Sequence, residues 1–137
     1  MTSIINASIS SNGIVSTADA SGILLCQSNG INTNARAWVQ FAGATGTIAS
    51  SYNVSSITRG GAGVYQVNFT NAFSDNKYCV TTGVSTESGT QSSIVNLFCV
   101  SGGTSTAPTT TYFQFLVQRY NTVSNQDPVY MCVSVFG

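Results

Sequence analysis

Alternation of apolar and polar residues with a period of two, punctuated by glycine, is the feature that most constrains this chain. In Gly63–Thr70, every second residue from Tyr65 onward is valine or aromatic, as expected for a strand whose successive side chains point to opposite faces. The segment Tyr52–Arg59 precedes it, separated by Gly60-Gly61. Because glycine readily adopts the positive φ angles of a tight turn, these two segments are predicted to form a β-hairpin.

The same pattern recurs along the rest of the chain, between turns rich in Gly, Ser, Asn and Thr. The predicted strands are Ala35–Phe41, Gly46–Ala49, Tyr52–Arg59, Gly63–Thr70, Tyr78–Val84, Ser92–Val100, Tyr112–Arg119 and Val129–Val135. No stretch shows the 3.6-residue period and the caps of a long helix. We therefore predict an all-β fold: an antiparallel β-sandwich or small barrel of about seven or eight strands.

The first 34 residues differ in composition from the remainder. They are rich in Ser, Asn, Thr and Gly and carry only short apolar groups, such as Ile4-Ile5 and Ile23–Cys26. Such a segment buries too little apolar surface to fold by itself. We predict an extended N-terminal arm over residues 1–34, which docks on another protein or exchanges between subunits, and a β-sandwich domain over residues 35–137. A frayed terminus is the alternative.

The last three predicted strands are apolar on both faces. In the final strand, for example, Met131 and Val133 alternate with Tyr130 and Cys132. A two-layer sandwich covers only one face of each sheet. The second face is therefore predicted to be covered by a neighbouring subunit, unless the strands close into a barrel with scattered apolar residues on its surface.

The charge content is very low. Four basic and four acidic residues make up 6% of the chain and give a net charge of zero, against about 25% charged residues in typical soluble domains. Weak repulsion between copies favours self-association. The absence of a Lys/Arg stripe argues against nucleic-acid binding, and no apolar run approaches the roughly 18 residues of a membrane span.

The four cysteines, Cys26, Cys79, Cys99 and Cys132, form no CxxC pair, and the chain has no histidine. No metal or other cofactor is therefore expected. Each cysteine lies in an apolar strand pattern, so we predict reduced, buried thiols in a protein made in a cytoplasm. The start of the chain also lacks the basic and apolar regions of a secretory signal. A disulfide such as Cys79–Cys99 is the alternative.

The acidic residues do not suggest an active site. Asp19 lies in the arm, while Asp75, Glu87 and Asp127 lie in separate loops. A glycosidase needs two carboxylates about 5–10 Å apart across a cleft. We therefore expect no enzymatic activity. The alternative is a polysaccharide hydrolase in which Asp75 meets Glu87, or Asp127 meets another carboxylate.

The aromatic residues offer the only indication of binding. Flat amphipathic rings can stack on sugars or on protein partners. The candidate glycan or partner contacts are Trp38, Tyr52, Tyr112, Tyr120 and Tyr130. The alternative is that these rings serve as core residues or cross-strand partners.

The segment from Ala35 to Tyr78 resembles a small β-module of tail-fibre and other virion surface proteins of tailed bacteriophages. The matching residues are Arg36-Ala37-Trp38-Val39 with Phe41, Asn53–Ile57, Gly63 with Tyr65, Val67-Asn68-Phe69, and Tyr78. Gly13–Gly22 is similar to a short sequence motif that often precedes this module. The motif residues look structural, so the resemblance implies no catalytic residues.

The resemblance implies a virion protein synthesised in the cytoplasm of the bacterial host. We expect a non-enzymatic structural protein, a homotrimeric tail- or fibre-type subunit that its N-terminal arm anchors to other virion proteins. A capsid decoration protein of the cement or head-fibre type is one alternative, because no shaft precedes the module here. A carbohydrate-binding module that recognises a host surface glycan is the other.

Overall fold

The computed structural model describes residues 27–28, 31–32, 34–85, 93–100, 104–122 and 124–137. The chain divides into two compact units, Met1–Asn34 and Ala35–Gly137. In the first unit, the strands β1 (Gln27–Ser28) and β2 (Ile31–Asn32) pair antiparallel. The predicted docking function of the arm falls largely on residues outside the described ranges.

The second unit is built from two four-stranded antiparallel sheets, which confirms the all-β prediction and its β-sandwich form. One sheet has the order β4-β3-β12-β7 and the other the order β5-β6-β11-β8. The strands are β3 (Ala37–Ala42), β4 (Ile48–Tyr52), β5 (Val54–Gly61), β6 (Val64–Phe69), β7 (Cys79–Val84), β8 (Ser93–Leu97), β11 (Tyr112–Arg119) and β12 (Tyr130–Phe136). A short pair, β9 (Cys99–Val100) with β10 (Thr104–Ser105), forms a third, two-stranded sheet in this unit. Among the described residues, no helix is long and apolar enough to cross a membrane.

The core lies between the two four-stranded sheets and follows the predicted alternation. In β6, Tyr65, Val67 and Phe69 are buried, and the residues between them are half-buried. The core cluster comprises Ala37, Val39, Phe41, Val54, Tyr65, Val67, Phe69, Phe73, Tyr78, Phe113, Phe115, Val117, Met131, Val133 and Val135. The strands β3, β6 and β12 thus contribute every second residue to the interior, as a sandwich requires.

Aromatic rings dominate one end of this core. The Phe69 and Phe73 ring centroids lie 4.6 Å apart, and Tyr78 meets both rings, at 5.7 Å and 5.0 Å. Phe113 joins the cluster 6.0 Å from Phe69. Offset and edge-to-face arrangements of this kind are favourable beyond their area burial. Phe73 and Tyr78 lie outside the strands, so this cluster also fixes the loop that connects β6 to β7.

The segment predicted as one strand, Tyr52–Arg59, is divided at its start. Asn53 has a φ of 53° and separates β4 from β5, which belong to different sheets. Asparagine tolerates this left-handed conformation better than most residues. Its side chain also donates to the carbonyl oxygens of Arg36 and Asn71, both at 3.2 Å. Tyr52 therefore belongs to β4, while the predicted hairpin is confirmed between β5 and β6.

The long strand predicted over Ser92–Val100 is also interrupted. Phe98 has a φ of 54° and ends β8 before the short strand β9 begins. The irregularity places the Phe98 ring 6.5 Å from Tyr78 and 6.2 Å from Phe113. A continuous strand over Ser92–Val100 would place Phe98 on the same face as Ile94, but Ile94 is exposed whereas Phe98 packs against the core.

The β5–β6 turn uses one glycine of the predicted pair, Gly61, together with Gly63 in place of Gly60. Gly61 and Gly63 have positive φ angles, of 150° and 68°, whereas Gly60 does not. Gly63 is also sterically confined, since a Cβ there would lie 2.3 Å from the carbonyl oxygen of Val117. This close approach lets the Gly63 carbonyl accept a hydrogen bond from the Val117 amide at 2.8 Å.

Candidate functional site

The outer face of the β4-β3-β12-β7 sheet carries no charged side chain. Strand alternation and register place twelve residues on it: Ser50, Tyr52, Trp38, Gln40, Ala42, Tyr130, Cys132, Ser134, Phe136, Cys79, Thr81 and Gly83. We call this surface the neutral face. All twelve are exposed except Ala42 and Ser134, which are half-buried. Its chemistry is therefore that of aromatic rings, thiols and uncharged hydrogen-bonding groups.

Three aromatic residues form a strip at one end of the neutral face. Trp38 pairs directly with Tyr52 on one side and with Ser134 on the other. Phe136 lies two residues beyond Ser134, on a diagonal of about 7–8 Å from Trp38. The exposed fractions are 46% for Tyr52, 38% for Trp38 and 36% for Phe136. Large rings this exposed on adjacent strands form a continuous surface for contact.

The structure brings three of the five predicted contact residues onto this face. Trp38 and Tyr52 lie in the strip, and Tyr130, 55% exposed, lies opposite Ala42 towards the other end. Tyr112 is half-buried on the other sheet, paired with Asn68. Tyr120 is 71% exposed in the turn after β11. The five residues therefore do not form a single site.

The prediction of buried cysteines is wrong for Cys79 and Cys132. Both occupy outward positions in β7 and β12, so strand alternation exposes them to solvent. No disulfide joins Cys79 to Cys99 in the described structure. Cys99 is half-buried, and Cys26 lies outside the described residues.

The outer face of the opposite sheet has a different character, because its amide side chains bind one another. The Gln114 amide donates to Gln66 at 3.1 Å, and the Gln66 amide donates to Asn68 at 2.6 Å. Asn68 in turn donates to the Thr58 hydroxyl at 3.0 Å. Side chains that satisfy one another across three strands stabilise the sheet and leave fewer groups for a partner.

The carboxylate of Asp127, in the segment between β11 and β12, is the centre of a charged hydrogen-bond cluster. Its Oδ1 accepts hydrogen bonds from the Gly63 amide at 2.9 Å and from the Tyr65 hydroxyl at 2.7 Å. Arg59 binds both carboxylate oxygens, Oδ1 through Nε at 3.2 Å and Oδ2 through Nη2 at 2.5 Å. The Tyr65 hydroxyl also lies 3.0 Å from the carbonyl oxygen of Gly43. Asp127 thus joins the crossover before β12 to the β5–β6 hairpin.

The electrostatics of this cluster favour a structural role. Burial alone would raise the pKa of Asp127, but hydrogen bonds from Arg59, Gly63 and Tyr65 outweigh it and hold that pKa below its usual value. The pKa of Tyr65 is raised by burial and by its bond to Asp127, and the same carboxylate raises the pKa of Arg59. A general acid or base needs a pKa near the working pH. The shifts instead keep Asp127 and Arg59 charged, and Tyr65 neutral, over a wider range of pH.

The carboxylate pairs considered for a hydrolase are not assembled in the described chain. Asp127 is ion-paired with Arg59 rather than facing a second carboxylate. Asp75 accepts a hydrogen bond from the Lys77 amide at 2.8 Å, within a local turn. Glu87 lies outside the described residues. Within the described ranges, no group of three His, Cys, Asp or Glu side chains could hold a metal ion.

Sequence reasoning did not include Gln40, Phe136, Cys79 or Cys132 among the candidate contact residues, although it placed Cys132 on a second apolar face. A usable signal was present in β12, where Tyr130, Cys132 and Phe136 alternate with the core residues. The pattern marks two apolar faces, but it does not show which face the second sheet covers. In the described structure the second sheet covers the face of Met131, Val133 and Val135. The face left outside is therefore the aromatic one.

Comparison with known proteins adds no identification: no family model, curated protein or solved structure matches this chain.

Proposed function

We propose that this chain is a non-enzymatic structural protein on the surface of a tailed-phage virion. In this role it is a homotrimeric tail- or fibre-type subunit, anchored to other virion proteins by residues 1–34. The observation that carries the proposal is the neutral face, a broad surface of exposed rings and thiols without charge. Residue types of this kind are typical of surfaces that contact other proteins.

The resemblance of residues 35–78 to phage surface modules supports the choice of a virion. Its motif residues have structural positions in the fold. Val67 and Phe69 lie in the core, Gly63 closes the hairpin, and Asn53 divides β4 from β5. Tyr65 contributes both its ring to the core and its hydroxyl to Asp127. These roles explain why such residues recur in a module that serves as a scaffold rather than as a catalyst.

Two alternative functions use the same fold, one at a different place on the virion and the other with a different partner. A decoration protein of the capsid shell would use the same β-domain without a fibre. A carbohydrate-binding module at a fibre tip is favoured by one specific observation: Trp38 and Tyr52, both exposed, occupy directly paired positions on neighbouring strands. Adjacent flat rings of this kind can stack on sugars.

The proposal is tested on purified particles of the phage that encodes the chain. Mass spectrometry of washed particles should detect the chain, and gold-labelled antibodies against residues 35–137 should decorate the tail or its fibres. Label distributed over the capsid shell would instead support the decoration protein. Absence of the chain from washed, infectious particles would contradict a structural role in the virion.

A further inference from the structure

We propose that the neutral face is the surface through which copies of this chain pack against one another. The number of copies, three, rests on the proposed function, whereas the choice of surface rests on its side chains. Each copy would present Trp38, Gln40 and Cys132 to a neighbouring copy.

The residue types on the neutral face are those that proteins usually cover. Its aromatic rings are those of Tyr52, Trp38, Tyr130 and Phe136, all at least 36% exposed. The centres of protein interfaces are enriched in aromatic residues and depleted of charge. Cysteine is among the most buried residue types, yet Cys79 and Cys132 are both exposed on this face. A protein bound over this face would remove its aromatic rings and its two thiols from contact with water.

The charge balance favours a second copy as that cover. The face contains no Asp, Glu, Lys or Arg, so two copies can approach there without repulsion between such side chains and without desolvating them. The whole chain also has a net charge of zero. Proteins near zero net charge associate more readily than strongly charged ones. A strongly acidic or basic partner would find no counter-charge on this surface.

The opposite sheet does not offer an equivalent surface. Its outer side chains Gln66, Asn68 and Gln114 are half-buried and bonded to one another. Its polar groups therefore have internal partners. The outer face of its strands exposes one large apolar side chain, Ile94, whereas the β4-β3-β12-β7 sheet exposes four aromatic rings.

The size of the neutral face sets the expected strength of association. Four strands about 4.8 Å apart and about six residues long give a face of roughly 400 Å². A standard interface uses about 800 Å² per partner. The face is thus comparable to the largest surface patches of ordinary monomers, and it supplies only the centre of an interface. We expect weak association with a clear dependence on concentration.

The thiols indicate that a second copy of this chain, rather than a saccharide, covers the neutral face. A saccharide is recognised by stacking and by hydrogen bonds from groups such as Gln40 and Ser50, whereas a thiol is only a weak donor. At a dry contact between proteins, cysteine serves as a small apolar side chain. Cys132 lies in the register row between Gln40 and Gly83, so it occupies the middle of the sheet. Its central position favours packing against protein.

Gln40→Glu is the variant that tests this surface. It keeps the shape of an exposed side chain and places a negative charge on every copy at the centre of the contact. Asn121→Asp is the matched control, since it makes the same change at an exposed position in the turn after β11. Sedimentation of the full chain should show assembly of the wild type and of Asn121→Asp. The dissociation constant of Gln40→Glu should rise by about tenfold or more.

Thiol labelling of the wild-type chain provides a measurement that does not depend on a variant folding. Trypsin cuts after Arg119 and leaves Cys132 as the only cysteine of residues 120–137. The rate at which iodoacetamide modifies Cys132 can therefore be read from one peptide by mass spectrometry. The rate should fall by about tenfold when the protein is concentrated from the dissociated to the assembled range.

The possible results test the proposed contact surface separately from the proposed function. An assembly that Gln40→Glu dissociates supports the surface, even if its mass corresponds to two copies, which would contradict the trimer. An assembly that Gln40→Glu leaves intact, with Cys132 still reactive, overturns the surface and leaves the trimer standing. A chain that remains monomeric at all concentrations, or that binds a neutral oligosaccharide as a monomer through Trp38, also overturns it.

Discussion

The Tyr65 hydroxyl donates a hydrogen bond to the Asp127 carboxylate at 2.7 Å, linking a core aromatic residue to the crossover between the two sheets. The two residues are 62 positions apart in sequence. The same carboxylate oxygen accepts from the Gly63 amide in the β5–β6 turn. One charged group thereby fixes the relative position of the hairpin, the core and the start of the last strand.

Asp127→Asn is expected to destabilise the protein by about 2 kcal/mol, because charged acceptors form stronger hydrogen bonds than neutral amides. The amide also offers only one acceptor oxygen to Arg59, Gly63 and Tyr65. Urea unfolding at neutral pH measures the change. Asp75→Asn is the control, because Asp75 only accepts the Lys77 amide in an exposed turn, and it should shift stability by less than about 0.5 kcal/mol.

The pH dependence of the free energy of unfolding provides a second test of the role of the Asp127 carboxylate. The pKa of Asp127 lies below its ordinary value of 3.8 in the folded protein. The stabilisation is therefore present above pH 3.8 and is lost as the pH falls through the folded-state pKa. Below pH 3.8, the wild type should lose stability more steeply than Asp127→Asn. Parallel curves for the two proteins would contradict the role assigned to this carboxylate.

Tyr78 is expected to make the fold sensitive to alkali. Burial raises its pKa from 10.0 to about 12, so its stabilisation is complete below pH 10 and is lost as the pH rises through about 12. Tyr78→Phe should flatten the fall in stability over this range, as measured by urea unfolding at several pH values. Tyr120→Phe, at a residue 71% exposed, should follow the wild-type curve. An equal alkaline slope in Tyr78→Phe would exclude this explanation.

Gly63→Ala is expected to destabilise the protein by more than about 2 kcal/mol. The residue has a φ of 68°, and an added Cβ would meet the Val117 carbonyl oxygen at 2.3 Å. Gly83→Ala is the control, because its nearest heavy atom is the Cβ of Cys132 at 3.8 Å. Alanine at this strand position should change stability by less than about 1 kcal/mol. Thermal melts of the two variants make the comparison, and equal melting temperatures would contradict the confinement of Gly63.

Asn53 combines a backbone requirement with a side-chain network, and two substitutions separate them. Asn53→Gly keeps the positive φ and loses the bonds to Arg36 and Asn71. Asn53→Ala loses both, so it should be less stable than Asn53→Gly by about 1 kcal/mol. Denaturant unfolding of the two variants measures the difference. An alanine variant as stable as the glycine variant would show that the φ of 53° is not a constraint.

The strand pattern predicted the sandwich because its signal is local. Alternation in Gly63–Thr70 and Tyr112–Arg119 depends on neighbouring residues, and both segments contain the expected strands with the expected buried faces. The breaks at Asn53 and Phe98 could not be predicted in the same way. In each case tertiary contacts hold one residue in a left-handed conformation inside a segment whose composition favours a continuous strand.

The candidate site was predictable only in part, for a related reason. Alternation identified Tyr130 and Cys132 as a second apolar face, but only the fold shows that this face adjoins Trp38 and Tyr52. The Arg59–Asp127 pair joins residues 68 positions apart. No local pattern encodes such a contact.

Tracing this chain in a cryo-electron microscopy map of the virion tests the central claim most directly. The proposal predicts density for the β-sandwich on the outside of the tail or its fibres, with three copies around an axis and with Trp38 and Cys132 covered by a neighbouring copy. A particle without density for the chain, or copies that all leave Trp38 and Cys132 facing solvent, would contradict it.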